Sequence, residues 1–225
     1  MAGVNDRIDA RIARCEAMDP ARVVAVLEPL VTEPRRERLR AVIAERLASV
    51  AVVFDRPYDP HNGAAVVRSC EAFGVQQLVV VEREGTPFAL ARAVARSAEK
   101  WIDVECHARA AQAIAWARER SLELVAARPD GELDPESLAR LPRVGIVLGN
   151  EREGVQEELA RACTRCVRVP MRGFVDSLNV SVTAAILLHA ATRGRTGDLD
   201  ERAKRRLYAR GLYLSVPHAD DILAP

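Results

Sequence analysis

The residues best suited to chemistry stand where an apolar strand gives way to a polar loop and then to an apolar helix. Ser177 and Asn179 close that loop, directly before the apolar run at 180–191. Serine and asparagine cap helices because their side-chain oxygens accept hydrogen bonds from the unpaired N–H groups of the first turn. The run that follows is apolar nearly all round, which predicts a buried helix. A polar loop that leads into a buried helix is a good place to hold a small ligand.

A charged side chain in apolar surroundings marks a second segment, nearer the start of the chain. Arg68 follows two valines and lies six residues after Asn62, which we expect to cap a helix. The guanidinium would then lie about one and a half turns into that helix. A charge among apolar neighbours requires a carboxylate or a phosphate as its partner. Glu151 follows another apolar run, and we expect it either to pair with Arg68 or to fix Asn62.

The elements that must position these residues alternate between strands and helices. Apolar runs of strand length lie at 50–54, 77–81, 102–105, 122–126, 144–148 and 165–169. Helical segments lie between them, at 63–73, 88–95, 108–120, 135–140 and 155–163. This alternation predicts an α/β fold with a parallel sheet that is covered by helices on both faces. Ligands are then expected at the carboxyl ends of the strands.

The segment after the first strand argues against a dinucleotide-binding protein. Such a protein requires a glycine-rich turn directly after that strand, and an ordinary Rossmann-type methyltransferase requires a similar turn. Residues 55–63 contain a single glycine, Gly63. A nucleotide-dependent oxidoreductase is therefore disfavoured.

Charged helices are predicted on both sides of this alternating region. Residues 34–48 indicate a basic amphipathic helix, and residues 198–214 indicate another, with four arginines and a lysine. We therefore expect three parts, namely an N-terminal basic helical extension at 1–49, a core domain at 50–193 and a C-terminal basic helical extension at 194–225.

Composition limits the partners and cofactors. The chain carries 33 Lys and Arg against 32 Asp and Glu, so no strong overall field favours nucleic acid. It has five cysteines, an odd number, and no signal peptide or membrane-spanning run is apparent. We therefore expect a cytoplasmic protein with reduced thiols and no membrane association. Cys163 and Cys166 have the spacing of a metal or redox pair. Because no second pair accompanies them, we expect no metal.

Three segments, taken in order, resemble the motifs of the SPOUT RNA 2′-O-ribose methyltransferases of the TrmH type. The first is Asp-Pro-His-Asn-Gly at 59–63, with Arg68 beyond it. The second is Ile-Val-Leu-Gly-Asn-Glu-Arg-Glu-Gly-Val at 146–155. The third is Pro-Met at 170–171, followed by Ser-Leu-Asn-Val-Ser at 177–181. Each motif alone is a weak signal, but three in order are a strong one.

The resemblance implies a fold that periodicity cannot reveal, since knots are rare in proteins. It implies a SPOUT-type parallel sheet with a deep C-terminal trefoil knot, which holds S-adenosyl-L-methionine in three loops, and it implies a homodimer. The cofactor-binding residues implied in this way are Ala127, Leu148, Gly149, Val169, Met171 and Leu178. The catalytic residues implied in this way are Arg68, Asn62, Glu151, Ser177 and Asn179.

The second motif carries further expectations. A bare backbone at Gly149 would let an adenosyl group approach closely. Gly154 is expected to relieve a left-handed turn before the next helix. Arg152 and Glu153 lie in a variable part of the motif and are assigned no role.

The implied activity is methyl transfer to a ribose 2′-hydroxyl in RNA. Arginine is very hard to deprotonate, so Arg68 is expected to stabilise the developing alkoxide while water or a phosphate oxygen takes the proton. Within the resemblance, transfer RNA of the guanosine-18 type is favoured, because short basic helices flank the core as they do in the tRNA guanosine-18 enzymes. The alternatives are a ribosomal RNA 2′-O-methyltransferase and a non-catalytic RNA-binding or ribosome-assembly protein that has kept the fold.

Overall fold

Six parallel strands form the sheet in the computed structural model, which describes residues 4–88, 95 and 97–224, with side chains from residue 10 onward. The strands are β1 Leu47–Asp55, β2 Val75–Val81, β3 Asp103–His107, β4 Glu123–Ala127, β5 Val144–Leu148 and β6 Arg165–Val167. Their order in the sheet is β3-β2-β1-β5-β4-β6, and every pair is parallel. The predicted parallel α/β sheet is therefore confirmed.

Nine α-helices are found among the described residues. They are α1 Val4–Glu16, α2 Pro20–Leu27, α3 Glu33–Ala44, α4 Pro60–Ala72, α5 Ala110–Glu119, α6 Glu157–Ala162, α7 Val180–Thr192, α8 Glu201–Ser215 and α9 Ala219–Ile222. The segment Pro135–Arg140 is a 3-10 helix. The helix predicted at 88–95 falls almost wholly outside the described residues.

The central strands are apolar runs because both of their faces are covered. In β1 every residue from Ser49 to Asp55 is buried, and all five residues of β5 are buried. Val52 and Ile146 belong to one hydrophobic cluster, whereas Val53 and Val147 belong to another on the opposite face. Near-continuous apolar sequence is typical of parallel strands that are buried on both faces.

The chain divides into two compact units. A helical unit comprises Met1–Arg46 and Gly197–Pro225, and a sheet unit comprises Leu47–Thr196. In the helical unit α8 packs against α1, α2 and α3. Its core includes Tyr213, which is fully buried, and Arg210, which is 2% exposed and pairs with Glu16.

Two predicted helix boundaries are wrong. The helix predicted at 34–48 ends at Ala44, because Leu47 already belongs to β1, where its N–H donates to the carbonyl of Gly74 at 2.8 Å. The helix predicted to begin at Gly63 begins at Pro60, and Asp59 caps it by accepting from the N–H of His61 at 2.8 Å. Asn62 is therefore inside the first turn, and the prediction that it caps the helix is wrong.

Helix α7 is exposed along one side, contrary to the expectation of a buried helix. Leu187 and Leu188 are fully buried, but Val182 is 47% exposed. His189 is also exposed, and its ring lies edge-to-face against Phe73, with the centroids 5.8 Å apart. An apolar helix surface that its own chain leaves uncovered is available to a partner.

Candidate active site

A cavity of about 530 Å³ opens at the carboxyl edge of the sheet. Ala127 ends β4 and Leu148 ends β5, and both line it. The lining also includes the other four predicted cofactor-binding residues, together with Glu151, Ser177 and Asn179. Its volume is that of a typical small-molecule site. The structure therefore brings together most of the predicted site residues, from three separate segments.

One part of the cavity wall is apolar and the other is polar. Leu148 and Val167 are buried in its floor, while Val169 and Leu178 are half-buried beside them. Polar side chains complete the lining, namely Arg128, Asn150, Glu151, Asp176, Ser177, Asn179 and Thr183. This division suits a ligand that has one flat apolar part and one charged or hydroxylated part.

A chain of hydrogen bonds joins the three motif segments. Asn62 donates through Nδ2 to Glu151 Oε1 at 2.6 Å and accepts through Oδ1 from Asn179 Nδ2 at 3.0 Å. The Tyr58 N–H donates to the second oxygen of Glu151 at 3.4 Å. Asn179 caps α7 by accepting from the N–H of Ser181 at 2.8 Å. Each amide orientation is fixed, because its oxygen and its nitrogen each have a partner.

Two backbone hydrogen bonds between Asn150 and Gly154 close the turn that follows β5. The N–H of Asn150 donates to the Gly154 carbonyl at 3.1 Å, and the N–H of Gly154 donates back to the Asn150 carbonyl at 3.1 Å. Gly154 has φ 70°, as expected of a left-handed turn. A Cβ at Gly149 would lie 2.3 Å from the carbonyl carbon of Gly154. Glycine is therefore required at 149 by this turn, and because Gly149 also lines the cavity, the expected close approach of a ligand stays a prediction.

Asn150 is a cavity residue that the sequence analysis left without a role. It is 6% exposed, and its Oδ1 accepts from the N–H groups of Arg152 and Glu153 at 2.9 and 2.8 Å. Its Nδ2 is buried and has no hydrogen-bond partner among the residues that the structure describes. A buried donor without an acceptor is costly, so Nδ2 is a ready donor for an acceptor in the cavity.

Arg68 lies outside this arrangement. It is exposed on α4, is not part of the cavity lining, and has no ion-pair partner among the described residues. The two alternatives for Glu151 are thereby resolved, because Glu151 binds Asn62 and not Arg68. The expectation of apolar surroundings for Arg68 is wrong, since its valine neighbours face the core and the next position along the helix points about 100° away.

The sequence analysis missed one cation of the cavity lining. Arg128 directly follows Ala127 and lines the cavity, where it donates twice to Asp130, at 2.9 Å to each carboxylate oxygen. The hydrogen bonds from Arg128 lower the pKa of the Asp130 carboxyl. Its position directly after the strand is the signal that could have identified it.

The cysteine pair has the properties of structural thiols. Burial raises the pKa of Cys163 to about 12, and its thiol donates to the Leu159 carbonyl at 3.2 Å. Burial also raises the pKa of Cys166. Among the described residues no group of three His, Cys, Asp or Glu side chains is arranged to hold a metal ion. In the same part of the chain, no helix has the length and apolar character needed to cross a bilayer.

The parallel sheet, with three motif segments gathered at its carboxyl edge, is the arrangement expected of the RNA methylase class that the motifs resemble. The model of the SpoU rRNA Methylase family matches residues 49–189, and the chain belongs to this family.

Individual relatives are similar to the chain over most of its length. The tRNA (guanosine(18)-2′-O)-methyltransferase of Aquifex aeolicus is 32% identical over 171 residues, which are 76% of this chain and 81% of that protein. The crystal structure of an A. aeolicus TrmH/SpoU tRNA modifying enzyme is similar with a TM-score of 0.73 and 28% identity, over 82% of this chain and 98% of that one. An rRNA methyltransferase of Sinorhizobium meliloti, solved with AdoMet bound, has a TM-score of 0.60 and 29% identity, over 69% and 59% of the two chains.

Proposed function

We propose that this protein is an S-adenosylmethionine-dependent RNA 2′-O-ribose methyltransferase that acts on guanosine-18 of tRNA in the cytoplasm. The observation that carries the proposal is the hydrogen-bonded chain Glu151–Asn62–Asn179 beside a cavity of about 530 Å³. The substrate is inferred from the relatives, since the A. aeolicus protein is named for guanosine-18 of tRNA.

The cavity fits S-adenosylmethionine. Its apolar floor at Leu148 and Val167 suits the adenine ring, and Arg128, whose Nε and Nη2 donate to Asp130, can still donate through Nη1 to the methionine carboxylate. The unpartnered Asn150 Nδ2 supplies a hydrogen-bond donor within the same lining. When bound, the cofactor would supply an electrophilic methyl group.

The protein's own part in the reaction is to orient and polarise the ribose hydroxyl. Ser177 and Asn179 lie at the start of α7, and the Asn62–Glu151 bond holds Asn179 in place. We propose that Arg68 stabilises the developing alkoxide, while water or a phosphate oxygen takes the proton. Because Arg68 is exposed and outside the cavity lining, this role requires RNA or a second subunit to bring the hydroxyl within its reach.

A homodimer is part of the proposal. Phe174 and Val175 are exposed in the loop before α7, and Val182 is 47% exposed on α7 itself. Large apolar side chains grouped along one segment are typical of a surface that another molecule covers. We expect Val182→Glu to shift the protein from dimer to monomer in sedimentation equilibrium. Val26→Glu, a change at a 36% exposed valine of the helical unit, is the control, and an unshifted Val182→Glu variant would contradict this interface.

The knot and the domain roles are also proposals. A trefoil knot in the C-terminal part is supported by the likeness to solved SpoU structures. For the helical unit we propose tRNA contact, supported by Arg38, Arg202 and Arg205, which are exposed and have no carboxylate partner in the described part of the chain. Three such cations would pair with backbone phosphates.

The decisive experiment follows a labelled methyl group from S-adenosylmethionine into RNA. Bulk tRNA and ribosomal RNA from a deletion strain are incubated separately with the purified protein, digested with nuclease and analysed by mass spectrometry. We expect 2′-O-methylguanosine in tRNA, at position 18. Label in ribosomal RNA alone would establish the alternative substrate. Absence of methylated ribose from both would refute catalysis and favour a non-catalytic RNA-binding protein.

A further inference from the structure

Two guanidinium groups share one aromatic ring close to the catalytic residues. The guanidinium carbon of Arg83 lies 4.3 Å from the centroid of the Tyr58 ring, and that of Arg152 lies 4.4 Å from the same centroid. Each cation is attracted by the ring's quadrupole, with an energy of roughly 0.5–1 kcal/mol at an exposed site. The ring therefore holds two positive charges near each other, although they repel.

Neither charge is neutralised within the described residues. No carboxylate there forms an ion pair with Arg83 or Arg152, whereas the neighbouring Arg56 pairs with Asp55 and with Glu153. The carboxylate of Glu82 accepts instead from the N–H of Phe88 at 2.7 Å. Two cations on one ring, each without an ion pair in the described part of the chain, suit an anion with more than one charge, such as a polyphosphate or a phosphodiester chain, although the carboxylates of Asp59 and Glu82 line the same cleft as Arg83.

The Tyr58 group is connected to the active site by its backbone. The N–H of Tyr58 donates to Glu151 Oε2 at 3.4 Å, and Arg152 is the residue after Glu151. Arg83 and Tyr58 also line a small surface cleft of about 90 Å³. An anion bound by the two arginines would therefore lie next to the residues that hold the target ribose.

We propose that Tyr58, Arg83 and Arg152 form a phosphate-binding platform that holds the RNA backbone beside the target nucleotide. This inference rests on the proposed function, which supplies the RNA. The ring of Tyr58 preorganises the two guanidinium groups, so that less side-chain freedom is lost when phosphate binds. Arginine is suited to this task because its planar fork can donate two parallel bonds to a phosphate.

The test measures the dissociation constant for unmodified bulk tRNA as a function of salt, with Arg83→Ala, Arg152→Ala and the double variant. A lost phosphate contact lowers the slope of log K against log salt by about 0.7–0.9. We therefore expect each single variant to lower the slope by about that amount and the double variant by about twice as much. S-adenosylmethionine affinity, measured by calorimetry, should stay unchanged in all three.

Arg118→Ala is the matched control. Arg118 is likewise exposed and without a carboxylate partner among the described residues, but it lies in the last turn of α5, near the amino ends of the strands. Its removal should leave the salt slope as in the unmodified protein. A second pair of variants tests the ring: Tyr58→Phe should retain tRNA affinity, whereas Tyr58→Leu should lower it about twofold to fivefold for each cation–π contact that is lost.

The outcomes separate this inference from the proposed function. If the unmodified protein methylates tRNA and the arginine variants keep its full salt slope, the platform is refuted and the proposed function stands. If the unmodified protein methylates neither tRNA nor ribosomal RNA, the proposed function fails. In that case, a smaller slope of log K against log salt in the arginine variants than in the unmodified protein would support the platform as an RNA-binding surface alone.

Discussion

The contacts between helical segments of the helical unit and two sites of the sheet unit, namely helix α4 and the ring of Tyr58, use arginine in different ways. In the helical unit several arginines are paired within the unit: Arg210 with Glu16, Arg40 with Glu28, and Arg14 with Asp220 at 3.0 Å. In the sheet unit Arg68 and the two arginines over Tyr58 have no carboxylate partner among the described residues. A paired charge contributes to the stability of its own unit, whereas an unpaired one is available to a ligand. Position relative to carboxylates is therefore more informative than the number of arginines.

The largest expected effect is on Arg68. If it stabilises the alkoxide, Arg68→Ala should lower the turnover number by about 10²- to 10³-fold, the usual cost of removing one such donor. Cofactor affinity should stay unchanged, because Arg68 does not line the cavity. Single-turnover methylation of tRNA provides the rate, and circular dichroism confirms the fold.

The control for this prediction is Arg118→Ala, which removes an exposed cation near the amino ends of the strands. Arg68→Lys keeps the charge but loses the planar fork, so intermediate turnover is expected. Full turnover of Arg68→Ala would remove its catalytic role and weaken the contrast between unpaired and paired arginines.

The sheet could be predicted from sequence because its central strands are simple apolar runs. β5 was predicted with its observed bounds, Val144–Leu148, since every one of its residues is buried. The cavity residues were identified by resemblance, and the structure groups them because parallel strands bring their carboxyl ends to one edge.

The start of helix α4, and with it the capping role wrongly expected of Asn62, was harder to predict. Asp59 and Asn62 are both capping residue types, and the choice between them depends on where the helix begins. Pro60 was the available signal, because proline is favoured at the first helical position. The Tyr58–Arg83 contact joins residues on different segments, and no local pattern in the sequence encodes such a contact.

An intermediate effect is expected from the buried pair of the helical unit. Glu16→Gln removes one charge partner of Arg210, which is 2% exposed. Weakening the pairing of a buried charge is costly, but Glu16 is partly open to solvent, so we expect a loss of about 2 kcal/mol in the free energy of unfolding. Urea titration followed by circular dichroism at 222 nm measures this loss.

The fluorescence of Trp101 and Trp116 follows the unfolding of the sheet unit separately, because both tryptophans belong to that unit.

Replacing both partners, as Glu16→Gln with Arg210→Met, should recover part of the stability, since the buried charge is then removed together with its partner. A Glu16→Gln protein with unchanged stability would show that pairing in the helical unit contributes nothing, and the comparison between the units would fail.

The smallest expected effect concerns how the free energy of unfolding depends on pH, through a buried carboxylate of the sheet unit. Asp55 is fully buried at the end of β1 and accepts from the N–H of Gln156 at 2.6 Å. Burial raises the pKa of its carboxyl above the ordinary value, although the bonds from Gln156 partly oppose this. The folded state therefore favours protonated Asp55, and the resulting stabilisation is complete below about pH 4. It is lost as the pH rises through the folded-state pKa.

Asp55→Asn should abolish this pH dependence of the unfolding free energy. As the pH rises from about 4 to neutrality, the unmodified protein should therefore lose stability relative to the variant. Each unit of pKa difference corresponds to about 1.4 kcal/mol. Urea titrations at several pH values measure the difference, and a constant offset from the altered Gln156 bond does not affect its slope. Asp130→Asn is the control with the opposite sign, because Arg128 lowers the pKa of Asp130. If the unfolding free energies of the unmodified protein and of Asp55→Asn changed in parallel with pH, Asp55 would be ionised throughout. Gln156 and Arg56 would then fully compensate its buried charge.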